Sequence, residues 1–310
     1  MEKVIVVIGP TSVGKTKMGV ALAKKFNGEV ISGDSMQIYK QMDIGTAKVT
    51  EEEKEGIIHH CVDILNPDET YSVHDFQQTV RKKITEITQR GHVPIIVGGT
   101  GLYIKAALYD YQFDEIKNDH HAINEKYKDY TNEQLHDHLK SIDEESAKIL
   151  HFNNRRRVLR AIEIYETTGK RKSEMLEEQE HICLYDAYFV GLTLPRDVLY
   201  ERINKRVDVM MENGLKKEME RLYSQGLTRN HQSMKAIGYK EWFDYYDHQI
   251  DLNDVLELIK KHSRQYAKRQ YTWFKNQFDV HWYDVNLENF EQTIEQVTDD
   301  IEKILGNQII

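Results

Sequence analysis

The chain has 310 residues, of which 40% are hydrophobic and 30% charged, and its formal net charge is −9. That composition excludes a disordered chain, and no run approaches the ~18 apolar residues of a membrane-spanning helix. Two cysteines, Cys61 and Cys183, make no disulfide framework, and Met1–Val4 lead into a strand-like run without a signal-peptide pattern, so a cytoplasmic protein in a reducing compartment is expected.

Val4-Ile5-Val6-Val7-Ile8 is a continuous apolar run, the mark of a strand covered on both faces. Gly9 ends it, and Met18, Leu22 and Phe26, spaced four apart, predict a helix that Asn27-Gly28 stop. Glu29-Val30-Ile31-Ser32 predicts a second strand. Residues 72–90 predict a helix with a Ser72/Asp75 capping box and a buried stripe of Phe76, Val80, Ile84 and Ile87. Pro94-Ile95-Ile96-Val97 then predicts a third buried strand. Alternation of strand and helix means a parallel α/β sheet. From about Tyr111 to His181 the chain turns polar and helical. Thr131 and Gln134 form a capping box there, and a second helix is expected from Asn154 to Thr168, closed by Gly169. Strand character returns at 187–194 and near 278–285. The pattern predicts a parallel α/β core, residues 1–115 with 184–310, interrupted by a helical insertion at 116–183.

Gly9-Pro10-Thr11-Ser12-Val13-Gly14-Lys15-Thr16 fits G-x-x-x-x-G-K-[ST] between a strand and a helix. Glycines let successive N–H groups converge on one anion, and the following helix adds its positive end. Lys15 supplies a full charge to a terminal phosphate, and the Thr16 hydroxyl is a Mg²⁺ ligand candidate. The motif predicts a polyphosphate ligand, with P-loop NTPase-like architecture, but not the reaction. Ligands of open parallel sheets sit at the carboxyl ends of the strands. Two further loops leave such ends, Gly33-Asp34-Ser35-Met36-Gln37 and Gly98-Gly99-Thr100-Gly101. On position alone, three roles compete for Asp34: Mg²⁺ ligand, general base, or cap of the next turn.

Two segments are basic. Residues 258–278 have no acidic residue but carry Lys260, Lys261, Arg264, Lys268, Arg269 and Lys275. On a helix, Arg269 falls on the apolar side between Tyr266 and Trp273, where a paired or stacked guanidinium is expected. In the insertion, Arg155, Arg156, Arg157 and Arg160 crowd a helix N-terminus, unfavourably for the helix dipole unless an anion meets them. Arg202 and Arg206 lie one turn apart beside an apolar stripe and read as surface arginines. His59-His60-Cys61 lacks the ligand spacing of a zinc site.

The strings GPTSVGKT (9–16), DSMQIYKQMDIGTAK (34–48), HHCVDI (59–64), YSVHDF (71–76), PIIVGGTGLYIKA (94–106), AIGYKE (236–241) and RQYAKRQYTWF (264–274) closely resemble those of tRNA dimethylallyltransferases, also called tRNA isopentenyltransferases. The resemblance spans nearly the whole chain. It weakens in the insertion, where His151-Phe152-Asn153-Asn154 stands in place of the family's H-P-N-D and arginines expected near 118–126 are absent.

The resemblance implies transfer of a dimethylallyl group from dimethylallyl diphosphate to N6 of the adenine 3′ of the anticodon, releasing diphosphate with Mg²⁺. It implies that Thr11 to Thr16, within the nucleotide-type loop Gly9–Thr16, hold the diphosphate. It makes Asp34 the general base, Thr100 a neighbour of the adenine, and Arg206 a clamp on the leaving diphosphate. It places tRNA against Asp34, Ser35, Met36, Gln37 and Thr100, and against Arg156, Arg157, Val158, Leu159 and Arg160. Arg264 and Lys268 of the basic segment are further expected tRNA contacts, and a monomer without membrane attachment is expected. Three other readings keep the phosphate loop: a small-molecule kinase, a prenyltransferase acting on free AMP or ADP, and a noncatalytic nucleotide-switched RNA-binding module.

Overall fold

The computed structural model describes residues 1–111, 120–177 and 181–305. They form two compact units, one of Met1–Tyr109 with Cys183–Ile310 and a second of Asp110–Ile182. The expected boundary at 115/116 lies outside the described residues.

The larger unit is built on a six-stranded sheet of β1 (Lys3–Ile8), β2 (Gly28–Ser32), β3 (His59–His60), β4 (Val93–Val97), β5 (Asp186–Thr193) and β6 (His281–Asp284), in the order β3-β2-β4-β1-β5-β6. Every pairing is parallel, with Ile5 opposite Ile95 on one side of β1 and opposite Tyr188 on the other. The unbroken apolar run of β1 follows from its central place. Val4, Val6 and Ile8 enter one buried cluster, while Ile5 and Val7 enter another. Each such side chain contributes roughly 1.5–3 kcal/mol relative to exposure, so a charge anywhere in the run would disrupt one core or the other.

The helix Lys15–Lys25 ends at Phe26 rather than at Asn27-Gly28. Asn27 takes the left-handed turn at φ 48°, and Gly28 already belongs to β2. The helix Val73–Gln89 starts from the Ser72/Asp75 capping box, and its buried residues include Phe76, Val80, Ile84 and Ile87. The last strand is shorter than the expected 278–285, because Phe278 is the C-cap of the preceding helix, Leu252–Gln277.

The smaller unit has helices and no strand among its described residues: His120–Lys126, Asn132–Ile142, Glu144–Ile149, Arg155–Thr168 and Lys172–Glu177. Leu135, Leu139, Val158 and Ile162 are fully buried at its centre. Asp143 ties three pieces together, accepting from Ser146 N at 3.0 Å, Ser173 N at 3.1 Å and Ser173 Oγ at 2.7 Å. These donors hold its carboxyl below the ordinary carboxylate range despite burial, which acts the other way. Gly169 closes the arginine helix in the left-handed conformation.

Candidate active site

Parallel pairing brings the ends of β1, β2, β4 and β5 to one edge of the sheet, and the loops that leave β1, β2 and β4, with the helix Arg196–Glu212 that follows β5, line a continuous cleft. One lobe, of about 560 Å³, is bordered by the phosphate loop, Asp34, Glu53, Gly98-Gly99 and Arg202. The other, of about 330 Å³, has apolar walls from Met36, Ile203, Val207, Met210 and Ile259 and a polar edge at Asp34 and Arg206. Thr11, Ser12, Asp34, Thr46, Ala47, Arg206 and Tyr266 border both. Gly9 and Pro10 carry the chain from β1 into the loop, and Val13 is buried beneath it.

Gly14 caps the helix Lys15–Lys25 at φ 110°, a conformation that suits glycine and aims the helix's free N–H groups at the cleft. Lys15 folds back over the loop, donating to the Pro10 carbonyl at 2.8 Å and that of Gly9 at 3.1 Å. Burial lowers its pKa from 10.5 to about 7; the Arg206 charge acts in the same direction and the Asp34 carboxylate opposes it. Arg206 donates to the hydroxyls of Thr11 at 3.4 Å and Ser12 at 3.5 Å, and burial lowers its pKa as well, against the pull of Glu53 and Asp34. Two cations crowded at the mouth of an N–H cradle lack a buried countercharge of their own. An anion would supply it.

Asp34 resolves part of the competition over its role. Its Oδ1 accepts from Met36 N at 2.8 Å and Gln37 N at 3.3 Å, so the capping role is real. Oδ2 takes no hydrogen bond from the described residues, so one oxygen is fixed and the other is without a partner in a residue that borders both lobes. Thr100 Oγ1 accepts from Ser35 N at 3.1 Å and donates to Ser35 Oγ at 3.3 Å, which ties β4's loop to β2's. Thr100 borders neither lobe; it stands behind Ser35. Gln37 and Ser35 line one lobe each, and Met36 supplies an apolar wall.

Two residues that sequence reasoning did not assign to the site join it. Arg202, read as a surface arginine, donates from Nε to the Ser12 carbonyl at 3.0 Å. Its one-turn spacing from Arg206 was the available signal. Gln270, 5% exposed, accepts from Thr11 N at 2.9 Å and donates to the Gly99 carbonyl at 2.9 Å, cross-linking two loops from the middle of the basic helix. A polar residue inside an apolar stripe was its only trace. Arg269 lies over the Tyr266 ring at 5.8 Å, as expected for a stacked guanidinium, and both border the apolar lobe.

The basic segments are less uniform than their sequences. On the helix Leu252–Gln277, Lys268 is exposed, but Arg264 is bonded to Asn204 and Lys260 is paired with Asp208 at 2.8 Å. In the smaller unit Arg156 and Arg157 are exposed. Arg160 pairs with Glu163 at 2.8 Å, and Arg155 is spent on the carbonyls of Tyr127 and Tyr130 at 2.7 Å each. Val158 and Leu159, the other two residues of the expected tRNA stretch, turn their side chains inward. At 0% and 4% exposure they are core residues of the unit, because their positions on the helix face inward. Among the described residues no cluster of three metal-ligating His, Cys, Asp or Glu exists. His60 is hydrogen-bonded to the buried Glu29, and among the described residues no helix is long and apolar enough to cross a membrane.

The family model of IPP transferases matches residues 37–277. A Bacillus cereus (strain AH187) protein described as tRNA dimethylallyltransferase is 54% identical over 287 residues, covering 92% of this chain and 90% of the relative. The crystal structure of a tRNA delta(2)-isopentenylpyrophosphate transferase from Staphylococcus epidermidis matches with TM-score 0.73 and 47% identity, covering 98% of this chain and 99% of that one. A eukaryotic dimethylallyltransferase captured acting on tRNA matches with TM-score 0.85 and 33% identity, covering 98% and 79%.

Proposed function

Because this chain belongs to the IPP transferase family of tRNA dimethylallyltransferases, we propose that it transfers a dimethylallyl group from dimethylallyl diphosphate to N6 of the adenine 3′-adjacent to the anticodon in tRNA, releasing diphosphate. The observation that carries this reading is the convergence, in one cleft, of an anion cradle with two desolvated cations and a carboxylate with one oxygen free.

Breaking the bond between an allylic carbon and diphosphate builds negative charge on the leaving group. The N–H groups of residues 12–16, the Lys15 ammonium and the Arg206 guanidinium are prepositioned where that charge develops, the Thr11 N–H being held by Gln270. An incoming diphosphate draws Lys15 away from the Gly9 and Pro10 carbonyls and restores its proton. Arg202, bonded to the loop backbone, holds the loop's shape. The apolar walls of the second lobe suit a hydrocarbon group or the face of a base.

The exocyclic amine of adenine is a weak nucleophile because its lone pair is delocalised into the ring. Asp34 accepts the amine's proton through the oxygen that its capping bonds leave free, a contribution of typically ~10²–10⁴-fold for general bases. A base from a single-stranded loop enters such a pocket at modest cost. Exposed Lys268, Arg156 and Arg157 meet the RNA backbone without reading sequence.

The residues also fit Mg²⁺. The Thr16 hydroxyl has no hydrogen-bond partner among the described residues, and it borders the polar lobe with Asp34 and Glu53, all oxygen donors of the kind a hard cation takes. When bound, Mg²⁺ would neutralise charge on the diphosphate.

The test is to incubate the protein with unmodified tRNA and labelled dimethylallyl diphosphate, then digest to nucleosides. Label on N6 of adenosine is expected. Label on free AMP but not on tRNA would replace this reading with a nucleotide prenyltransferase, and phosphoryl transfer from ATP would replace it with a kinase.

A further inference from the structure

The apolar lobe is walled on one side by Gly45, Thr46 and Ala47 and on another by the segment 235–240. Neither wall is regular secondary structure throughout, so something other than a helix or sheet ladder must hold them. Both converge on one side chain that no sequence motif marked, Glu218 of the helix Leu215–Ser224. It is only 5% exposed. Oε2 accepts from Asp43 N and Ile44 N at 2.9 Å each; Oε1 accepts from Gly45 N at 3.0 Å and from the Tyr239 hydroxyl at 2.6 Å. Three successive backbone N–H groups aimed at one anion make a nest of the kind that elsewhere binds phosphate. Here the protein fills it with its own carboxylate, and the charge-assisted bonds offset the cost of burying that carboxylate.

Tyr239 completes the junction from the other wall. Its ring lies where a side chain on residue 45 would stand, since a Cβ added to Gly45 would come within 2.5 Å of it. The wall is then tied to the reacting groups by a short path. Gln37 Nε2 donates to the carbonyls of Thr46 at 3.4 Å and Ala47 at 3.3 Å, while Gln37 N donates to Asp34 Oδ1. The phosphate loop is secured by different residues, Gln270, Arg202 and Arg206, none of which touches the 43–47 segment through a hydrogen bond.

We propose that Glu218 is a positioning residue for the acceptor side of the reaction, holding the 43–47 wall and, through Gln37, the orientation of Asp34, while leaving the diphosphate seat independent of it. The inference rests on the prenyl transfer described above for its kinetic form, but its physical content is the separation of two parts of one cleft. Glu218→Gln keeps the size of the side chain and replaces one accepting oxygen with a donor that faces backbone N–H groups. kcat/KM for tRNA is expected to fall on the order of 10- to 100-fold, the range for buried donors left unpaired. The Kd for inorganic diphosphate, measured without Mg²⁺, is expected to stay within about twofold: Thr46 and Ala47 border both lobes, but the phosphate loop takes its hydrogen bonds from Gln270, Arg202 and Arg206 and none from the 43–47 wall. Tyr239→Phe removes one bond of the four and should show the same split with a smaller loss, which guards against a Glu218 variant that folds poorly.

Parallel loss of diphosphate binding in both variants would reduce Glu218 to a general support of the fold and overturn the proposal, as would unchanged kinetics with tRNA. Should the wild-type protein transfer no prenyl group to tRNA, the functional reading fails on its own. Amide hydrogen exchange then decides the positioning role: Glu218→Gln must accelerate exchange at Asp43, Ile44 and Gly45 while leaving residues 11–16 as in wild type, and equal protection at 43–45 in both proteins refutes it.

Discussion

The phosphate loop and the arginine helix of the smaller unit are both clusters of positive charge at a helix N-terminus, yet they are built differently. At the loop, Lys15, and Arg206 reaching it from the helix Arg196–Glu212, are desolvated and lowered in pKa by burial. In the helix Arg155–Thr168, Arg156 and Arg157 stand in solvent, Arg155 is spent on carbonyls and Arg160 on Glu163. A buried, convergent set can stabilise charge that appears at one atom during a reaction. An exposed, divergent set attracts a polyanion without fixing any one of its phosphates. Catalysis and RNA attraction thus call for opposite treatments of the same residue types.

Four experiments sharpen or break this contrast. The largest effect is expected from Asp34→Asn, which preserves an oxygen to cap Met36 and Gln37 but removes the proton acceptor. kcat should fall by ~10²–10⁴-fold with tRNA affinity unchanged, measured by single-turnover transfer and filter binding. Near-normal kcat would leave Asp34 with its capping role alone. Lys15→Ala should lower kcat/KM for the prenyl donor by about 10²–10³-fold, as for loss of one prepositioned charge donor. Salt should affect it little, since the pair is buried.

Replacing Arg156 and Arg157 together with Gln should act the other way round. Donor kinetics at saturating tRNA stay as in wild type, while the slope of log Kd for tRNA against log salt falls by about 0.7–0.9 per arginine. An unchanged slope would mean that these arginines meet no phosphate. The smallest effect is a proton count. Burial lowers the Lys15 pKa to about 7 in the free protein; a diphosphate that restores its charge would take up protons above pH 7 and none at this group well below it. Calorimetry in buffers of different ionisation enthalpy at pH 8 should show a fraction of a proton more uptake for wild type than for Lys15→Arg, whose charge is fixed. Equal uptake would refute the lowered pKa.

Local signals located most of the framework. The apolar run at 4–8 had to be a central strand, and the capping boxes at Ser72 and Thr131 fixed helix starts, because each depends on residues within a few positions of one another. The expected tRNA stretch at 156–160 shows where this kind of reading stops. Five consecutive residues on a helix cannot all face outward, and Val158 and Leu159 turned to the core. Arg202, Gln270 and Glu218 were illegible for a related reason. Each looks ordinary among its sequence neighbours and gains its role from a partner at least 173 positions away.

The sequence by itself determined the glycine-rich loop, the parallel sheet that carries it and the kinship of the chain, because glycine spacing, strand hydrophobicity and extended motifs are written contiguously. Only the tertiary structure decided which oxygen of Asp34 is free, which arginines are spent on the protein and which carboxylate accepts from the backbone at 43–45. Hydrogen bonding and desolvation depend on what distant segments bring into contact, and a one-dimensional pattern does not contain those distances.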